Sequence, residues 1–336
     1  MFADKIVLTG VKPTGMPHLG NLAGAIKPAI DMSNEANKAF IFIADLHALN
    51  AVRDSNLIGT WTHEVAATYM ALGLNLEKAA LFRQSDVPEI YKLTVFLMNV
   101  ASKGLMNRSH AYKALIAENE ANGKDTDFGI NMGLFTYPIL MAADILLYNT
   151  DLVPVGKDQK QHVEMARDIA GSLNNIYGEE LLVVPEPVIQ KVAAAIPGLD
   201  GRKMSKSYQN YVPIFAQQKA LKKSIMKIVT DSKRPEDPKD PDESTIYQLY
   251  QHFASKEEAD AMRQQFTDGG LGYGDAKKML FEMIDKTMAE PREKYYDLLA
   301  HPEKIEDVLM AGAERARVVA KETVDRVSKA MLGRIV

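Results

Sequence analysis

"VKPTGMPHLGN", residues 11–21, directly follows the β-prone run "KIVLT" of residues 5–9. Its prolines and glycines indicate a sharp turn, after which His-x-Gly-Asn opens a helix. A helix N-terminus presents unpaired N–H groups and a partial positive charge, so a glycine-containing turn that feeds one suits phosphate. Gly20 permits close backbone approach, and His18 and Asn21 can bond phosphate or ribose. Because most short turns of this kind are structural, the interpretation requires a second signal.

That second signal is "GRKMSKS", residues 201–207. Lys203 and Lys206 stand three residues apart, with Ser205 and Ser207 interleaved. Two ammonium groups on a loop suit a pyrophosphate leaving group, whose charge rises as its bond breaks. A generic basic loop is the alternative for this stretch taken alone.

Short apolar runs alternate with helix-length segments in the first part of the chain, and this pattern predicts βαβ units and a parallel, Rossmann-like α/β sheet. The runs are "IVLTG" at 6–10, "AFIFIADLH" at 39–47 and "AALFRQ" at 79–84. The intervening helix is predicted over 55–73, with Ser55 as its cap and Gly73 in the left-handed conformation after its end.

The rest of the chain is mostly helical in pattern. We predict a helical insertion at about 88–150, and a catalytic domain over residues 1–207 that contains it. An all-helical C-terminal domain is predicted over residues 208–336. Its charged, Pro-rich segment 231–243 reads as an exposed loop between helices or, alternatively, as a flexible linker.

Composition excludes several classes of protein. The 336 residues contain no cysteine, which removes disulfides and thiolate metal sites. Only clusters of His, Asp and Glu remain as possible metal sites, and since Asp45-x-His47 has no evident second half, we expect any metal to arrive bound to phosphate. No apolar run is long enough for a membrane span, and the N-terminus does not resemble a secretory signal, so we expect a cytoplasmic protein. A net charge of −4 disfavours indiscriminate nucleic-acid binding.

Together, HLGN and KMSKS resemble the two signatures of class I aminoacyl-tRNA synthetases, which activate an amino acid with ATP and then load it onto tRNA. The first corresponds to the family's His-x-Gly-His, with Asn21 in the last place. The resemblance extends over nearly the whole chain, including "GAERARVVAKETVDRV" at 312–327.

The segment "TYPILMAADILLYNTDLVPVGKDQKQHVE", residues 136–164, closely resembles the centre of tryptophanyl-tRNA synthetases. Tyr137, Met141 and Asp144 lie at i, i+4 and i+7, so on a helix they share one face. Met141 stands where tyrosyl enzymes typically have Gln, and His162 also fits the tryptophanyl pattern. A buried carboxylate can accept the indole N–H, while a thioether packs on the rings. The alternative for Met141 and Tyr137 is a purely structural role in the core.

The resemblance implies roles for further residues. Four are expected to be catalytic: His18, Asn21, Lys203 and Lys206. Contacts to ATP, with Mg²⁺ bound through its phosphates, are implied for Lys12, Pro13, Thr14, Gly20, Asn21, Gly156, Lys157, Asp158, Ile196, Lys203, Met204, Ser205, Lys206 and Ser207. Contacts to tryptophan are implied for Leu8, His47, Tyr137, Met141, Asp144 and Gln159. The expected partners are L-tryptophan, ATP and tRNA(Trp), without a membrane.

The resemblance also implies a homodimer joined through the insertion, and we expect Leu93, Phe96, Leu97 and Val100 at its seam. The C-terminal helices are expected to read the tRNA anticodon. Basic residues available to them are Lys222, Lys223, Lys227, Arg315, Arg317, Lys321 and Arg326. Solvated helix faces carry such residues as well.

Some positions depart from the bacterial family pattern. Lys12 stands where many members have Gln, His18 stands where they often have Thr, and the loop before KMSKS is shorter. These departures indicate a divergent branch. A tyrosyl enzyme, a metabolite nucleotidyltransferase and a non-enzymatic RNA-binding relative are the alternatives. Met141 with His162, the long helical C-terminal region and the intact KMSKS argue against them in turn.

Overall fold

A five-stranded parallel sheet lies at the centre of the molecule, in the order β3-β2-β1-β4-β5. The computed structural model describes residues 2–156, 159–189 and 196–336. The strands are β1 (Ile6–Val11), β2 (Lys38–Ile43), β3 (Ala79–Arg83), β4 (Leu152–Val155) and β5 (Glu186–Ile189). The predicted Rossmann-like parallel sheet is confirmed.

The strand order fixes the place of the site. β1 pairs along its full length with β2, from Ile6 opposite Lys38 to Val11 opposite Ile43, and on its other side it meets β4. The chain proceeds outward in one direction from β1 and in the other from β4. Ligands in such sheets bind at the carboxyl ends of the strands where the order reverses. The turn after Val11 leaves the sheet at this point.

Fourteen α-helical segments occur in the described ranges. Before β4 they are α1 (Leu19–Asn21), α2 (Lys27–Glu35), α3 (Asp45–Ala48), α4 (Ser55–Ala71), α5 (Glu89–Met98), α6 (Lys103–Met106), α7 (His110–Ala121) and α8 (Met132–Leu146). After β4 they are α9 (Lys160–Tyr177), α10 (Gln218–Met226), α11 (Thr245–Tyr250), α12 (Lys256–Asp268), α13 (Tyr273–Ala300) and α14 (Pro302–Leu332). A π-helical turn, Leu22–Ile26, joins α1 to α2.

The start of α4 corrects one prediction. Asp54, rather than Ser55, is the cap, because its carboxylate accepts hydrogen bonds from the backbone N–H groups of Asn56 and Leu57. The predicted end of this helix is confirmed, since Gly73 has a φ of +88° and lies in the left-handed region.

The predicted helical insertion is confirmed, since α5 to α8 all lie between β3 and β4. Three of the residues expected at the dimer seam lie elsewhere. Leu93, Phe96 and Leu97 are buried in the core of their own chain, against the sheet and α8. That expectation is wrong for these three residues, because they face inward and a partner cannot reach them.

The last helix returns to the sheet and covers the free edge of β3. A Cβ on Gly312 would lie 2.0 Å from the Leu81 carbonyl oxygen, so only glycine lets α14 approach this strand. Arg315 donates to the carbonyls of Leu76, Glu77 and Ala79 at the start of the strand. Covering an edge strand protects its backbone from pairing with another chain. The predicted domain boundary after residue 207 stays a prediction.

The segment 231–243 is an ordered loop held around a buried lysine. The Lys239 ammonium donates to the carbonyl oxygens of Arg234, Pro235 and Asp237 at 2.8–3.0 Å and lies over the Tyr273 ring. These contacts favour the loop interpretation of this segment over the flexible linker.

Within the described ranges, no helix combines the length and apolar character needed to cross a membrane.

Candidate active site

The HLGN turn closes on itself through a reciprocal cap. His18 Nδ1 accepts from the Asn21 backbone N–H at 3.3 Å, and Asn21 Oδ1 accepts from the His18 backbone N–H at 3.1 Å. This arrangement is a capping box with histidine in the place usually taken by Ser or Thr. It fixes both side chains at the start of the helix, as their proposed role at phosphate requires.

The surroundings of His18 determine both its charge and its tautomer. Burial, and after it the nearby charge of Lys206, lowers the pKa of His18 from 6.5 to about 4. The ring is therefore neutral at pH 7. Because Nδ1 accepts a hydrogen bond, the proton must sit on Nε2, which becomes a hydrogen-bond donor.

Asn210 organises the lysine loop. Its Oδ1 accepts from the Ser205 N–H at 2.8 Å, and its Nδ2 donates to Asp200 at 2.7 Å and to the Lys203 carbonyl at 3.2 Å. A Cβ on Gly198 would lie 2.3 Å from this amide, so glycine is required where the chain passes Asn210. One buried side chain thus shapes the whole loop.

The two motifs are in direct contact. The Gly20 N–H lies 3.3 Å from the sulfur of Met204, and a Cβ on Gly20 would lie 3.3 Å from Met204 Cβ. Lys206 Nζ donates to the Thr14 carbonyl oxygen at 2.6 Å. The structure therefore brings the turn of residues 11–21 and the lysine loop together, although the contacting residues are 184 and 192 positions apart in sequence.

A second cluster surrounds the buried carboxylate of Asp144. His47 Nε2 lies 2.9 Å from Oδ2, and Gln84 Nε2 lies 2.9 Å from both oxygens. Burial raises the pKa of Asp144, whereas the hydrogen bonds from His47 and Gln84 act in the opposite direction. Each carboxylate oxygen can accept two hydrogen bonds. Among the residues that the structure describes, Oδ1 accepts from Gln84 alone and so has capacity for one more donor.

Tyr137 connects this cluster to the start of α9. Its ring meets His47 edge-on, with the centroids 6.4 Å apart, and its hydroxyl bonds His162 Nε2. His162 Nδ1 in turn lies 3.0 Å from Gln159 Oε1. The predicted substrate residues are therefore joined in one chain of contacts: Tyr137 meets His47, which bonds Asp144, and His162 links Tyr137 to Gln159.

The remaining predicted residues are distributed as follows. Leu8 is buried, Met141 is half-buried against the same core, and Ile196 is buried with its carbonyl bound to the Met204 N–H. Lys12, Thr14, Asn21, Lys203 and Ser207 are exposed, Pro13 is buried, and Gly156 and Ser205 are partly exposed. Lys157 and Asp158 lie outside the described residues.

The basic residues expected to meet tRNA divide into two groups. Arg315 is committed to carbonyls of its own chain, Arg317 pairs with Glu89, and Arg326 binds the Leu181 carbonyl and Asn149. For these arginines the structure favours a structural role. The lysines of α10, Lys222 and Lys223, are exposed.

Two residues of these clusters, Gln84 and Asn210, are not among those predicted from the sequence. Gln84 follows β3 at the carboxyl edge of the sheet, where a polar residue is a binding candidate, so its strand-end position was a usable signal. Asn210 lies beyond the recognised motif, and no pattern points to it.

Residues 3–289 match the family model of the class I tRNA synthetases (W and Y). The chain belongs to this family of enzymes.

Within that family, its similar curated relatives are tryptophan–tRNA ligases. The ligase from Pseudomonas aeruginosa is 51% identical over 317 residues, which cover 94% of this chain and 70% of the relative. The ligase from Neisseria meningitidis serogroup A is 47% identical over 331 residues, which cover 98% of both chains.

A solved structure agrees with these relatives. The tryptophanyl-tRNA synthetase from Campylobacter jejuni, described as complexed with ADP and tryptophan, is 40% identical with a TM-score of 0.88. The match covers 97% of this chain and 99% of that one. The expected fold and the expected tryptophan–tRNA ligase class are confirmed.

Proposed function

We propose that this protein activates L-tryptophan with ATP and transfers the tryptophanyl group to the 3′ end of tRNA(Trp), releasing AMP and pyrophosphate. The observation that carries the proposal is the contact between the HLGN turn and the KMSKS loop, at the same carboxyl edge of the sheet as the Asp144 cluster. One site thus offers donors for phosphate next to an acceptor for an indole N–H. The similarity to tryptophan–tRNA ligases supports the same conclusion.

In the first step, the carboxylate of tryptophan attacks the α-phosphorus of ATP, and pyrophosphate leaves. Neutral His18 donates from Nε2 to a phosphate oxygen, and Lys203 and Lys206 stabilise the charge that grows on the leaving group. ATP enters as its magnesium complex, because Mg²⁺ prefers oxygen ligands and neither motif contains a carboxylate. The protein contributes position and electrostatic stabilisation.

Asp144 selects the amino acid. Its Oδ1 accepts the indole N–H, while His47 and Gln84 hold the carboxylate in place, and Met141 packs against the ring. In the second step, a terminal ribose hydroxyl of tRNA attacks the carbonyl of the adenylate, forms the ester bond and displaces AMP.

For the tRNA, we propose that residues 208–336 contain the anticodon-binding region and that the exposed lysines of α10 meet phosphate. Contacts of this kind position the RNA and require only a local positive surface. Arg315, Arg317 and Arg326 are left out of this surface because their partners lie within the chain.

For the dimer, we propose a seam on the exposed face of α5. Tyr91, Val95 and Met98 are spaced as one helical stripe, and all three are exposed, Val95 at 57%. Replacing Val95 with Asp should give a monomer in sedimentation, whereas Val318→Asp, an equally apolar exposed position on α14, should not. A wild-type chain that sediments as a monomer at micromolar concentration contradicts this seam.

The proposed activity is tested by ATP–pyrophosphate exchange with each of the twenty amino acids. We expect rapid exchange only with tryptophan. A ligand without an N–H at this position leaves one acceptor site of the buried carboxylate unfilled, and sites of this kind reject such ligands by factors of about 10⁴. Asp144→Asn should raise the KM for tryptophan. Faster exchange with tyrosine would contradict the assignment, as would an unchanged tryptophan KM in Asp144→Asn.

A further inference from the structure

Glu64 on α4 points at the turn of residues 11–21, although it belongs to neither motif. A Cβ on Gly15 would lie 3.3 Å from Glu64 Oε2 and 2.9 Å from Trp61 Nε1. Gly15 itself has a φ of +77°, in the left-handed region that favours glycine. The turn therefore passes against two polar side chains of α4, with no room for a side chain of its own.

The carboxylate is linked to this turn and to the lysine loop. Burial raises the pKa of Glu64, whereas the Met16 backbone N–H and the charge of Lys206 favour its ionised form. Burial likewise lowers the pKa of Lys206, and the charge of Glu64 opposes that effect. Glu64 thus lies against Gly15 and Lys206 against Thr14, and each charge favours the ionised form of the other group.

Lys206 is bound to the turn that Glu64 supports. Its ammonium donates to the Thr14 carbonyl, the residue immediately before Gly15. To meet the phosphates of ATP, the ammonium has to exchange this carbonyl for phosphate oxygens while it remains charged and close to the turn. A fixed negative charge beside the turn provides both conditions.

We propose that Glu64 is a positioning residue for Lys206: its carboxylate fixes the Gly15 turn and keeps the Lys206 ammonium beside the phosphate site before and during adenylate formation. The inference rests on the proposed function, because it concerns the same activation step. It assigns to α4 a part in that step which neither motif contains. Glu64 acts through Lys206 and does not itself contact ATP.

The inference is tested with a double-mutant cycle of Glu64→Gln and Lys206→Ala in ATP–pyrophosphate exchange. We expect Glu64→Gln alone to lower kcat about tenfold with an unchanged KM for tryptophan, the scale typical of coupled neighbouring groups. In the Lys206→Ala background, Glu64→Gln should cause a much smaller loss, because only its effect on the turn remains. Glu64→Asp, which keeps the charge, should recover part of the rate. Glu77→Gln, an exposed position after the same helix, should match the wild type.

A merely structural role predicts a different pattern. Equal losses from Glu64→Gln in the wild-type and Lys206→Ala backgrounds would overturn the inference, as would a wild-type kcat in Glu64→Gln. Tryptophan affinity, measured by calorimetry on each variant, reports folding independently of the rate, and a loss of affinity parallel to kcat also argues against positioning. An unmodified chain without tryptophan-dependent exchange would instead overturn the proposed function itself.

Discussion

Gln84 donates to both carboxylate oxygens of Asp144, with its Nε2 2.9 Å from each. Its own Oε1 lies 3.4 Å from the His47 backbone nitrogen, so the amide connects the end of β3 to α8 and to the segment after β2. The orientation of the carboxylate is therefore set by a residue that follows β3, outside the helix that carries Asp144. A buried polar group is costly unless such partners are present.

We expect Gln84→Leu, which keeps the approximate volume but removes both donors, to raise the KM for tryptophan about tenfold to a hundredfold. The carboxylate loses the donor that orients Oδ1, while the nucleotide site is untouched, so the KM for ATP should remain near that of the wild type. Pyrophosphate exchange measures both constants. Gln217→Leu, at an exposed position, is the control. An unchanged tryptophan KM would show that Asp144 is oriented without Gln84.

For the lysine loop, Lys206→Ala should reduce kcat for exchange by a factor equivalent to about 2–4 kcal/mol, with a small change in tryptophan affinity. The reason is that the ammonium meets charge that develops only as pyrophosphate leaves. Single-turnover kinetics of adenylate formation separate this step from product release. Lys219→Ala, an exposed lysine on α10, should be silent. Unchanged turnover with weaker tryptophan binding would refute the assignment.

The pKa of His18 has a consequence for stability. Since the folded pKa is about 4 against 6.5 for the free group, the unfolded chain binds more protons between these values. The free energy of unfolding should therefore fall as the pH drops from 6.5 toward 4, with a slope of at most about 1.4 kcal/mol per pH unit from this group. Urea unfolding at pH 7 and pH 5 measures it. His18→Asn keeps a capping side chain but does not titrate, so its pH dependence should be weaker. Equal slopes in both proteins contradict the buried neutral ring.

Lys239→Met should lower the free energy of unfolding by about 3 kcal/mol, because three carbonyl groups lose a charged donor. Urea unfolding measures the loss, and trypsin cleavage after Lys233, which Arg234 follows, should become faster as the loop opens. Lys233→Met changes an exposed lysine of the same loop and should have little effect on unfolding. A wild-type stability for Lys239→Met would mean that the loop is held by its prolines alone.

The sheet was predictable because its strands are short, apolar and separated by helix-length segments. The face shared by Tyr137, Met141 and Asp144 followed from helical spacing alone. The Gln84–Asp144 hydrogen bond could not be predicted in this way. Its partners are 60 residues apart in sequence and are brought together only by the packing of α8 beside the end of β3. Local spacing carries no information on which polar groups a fold brings together.

The same limit explains the incorrect expectations. An apolar helical stripe such as Leu93 and Leu97 predicts burial but does not say whether the covering surface is its own chain or a partner. Arginines on a helix were expected to bind tRNA, but the sequence does not show which of them bond to carbonyl groups of their own chain, as Arg315 does.

Trp61 is the single tryptophan of the chain, and it stands against the Gly15 turn. Indole fluorescence of the ligand-free protein therefore originates from one ring, located against the turn for which we propose nucleotide binding. When ATP is added without amino acid, no other indole is present in solution, and a change in emission intensity or wavelength reports on that turn. The protein thus carries an intrinsic optical probe of nucleotide arrival and needs no attached dye.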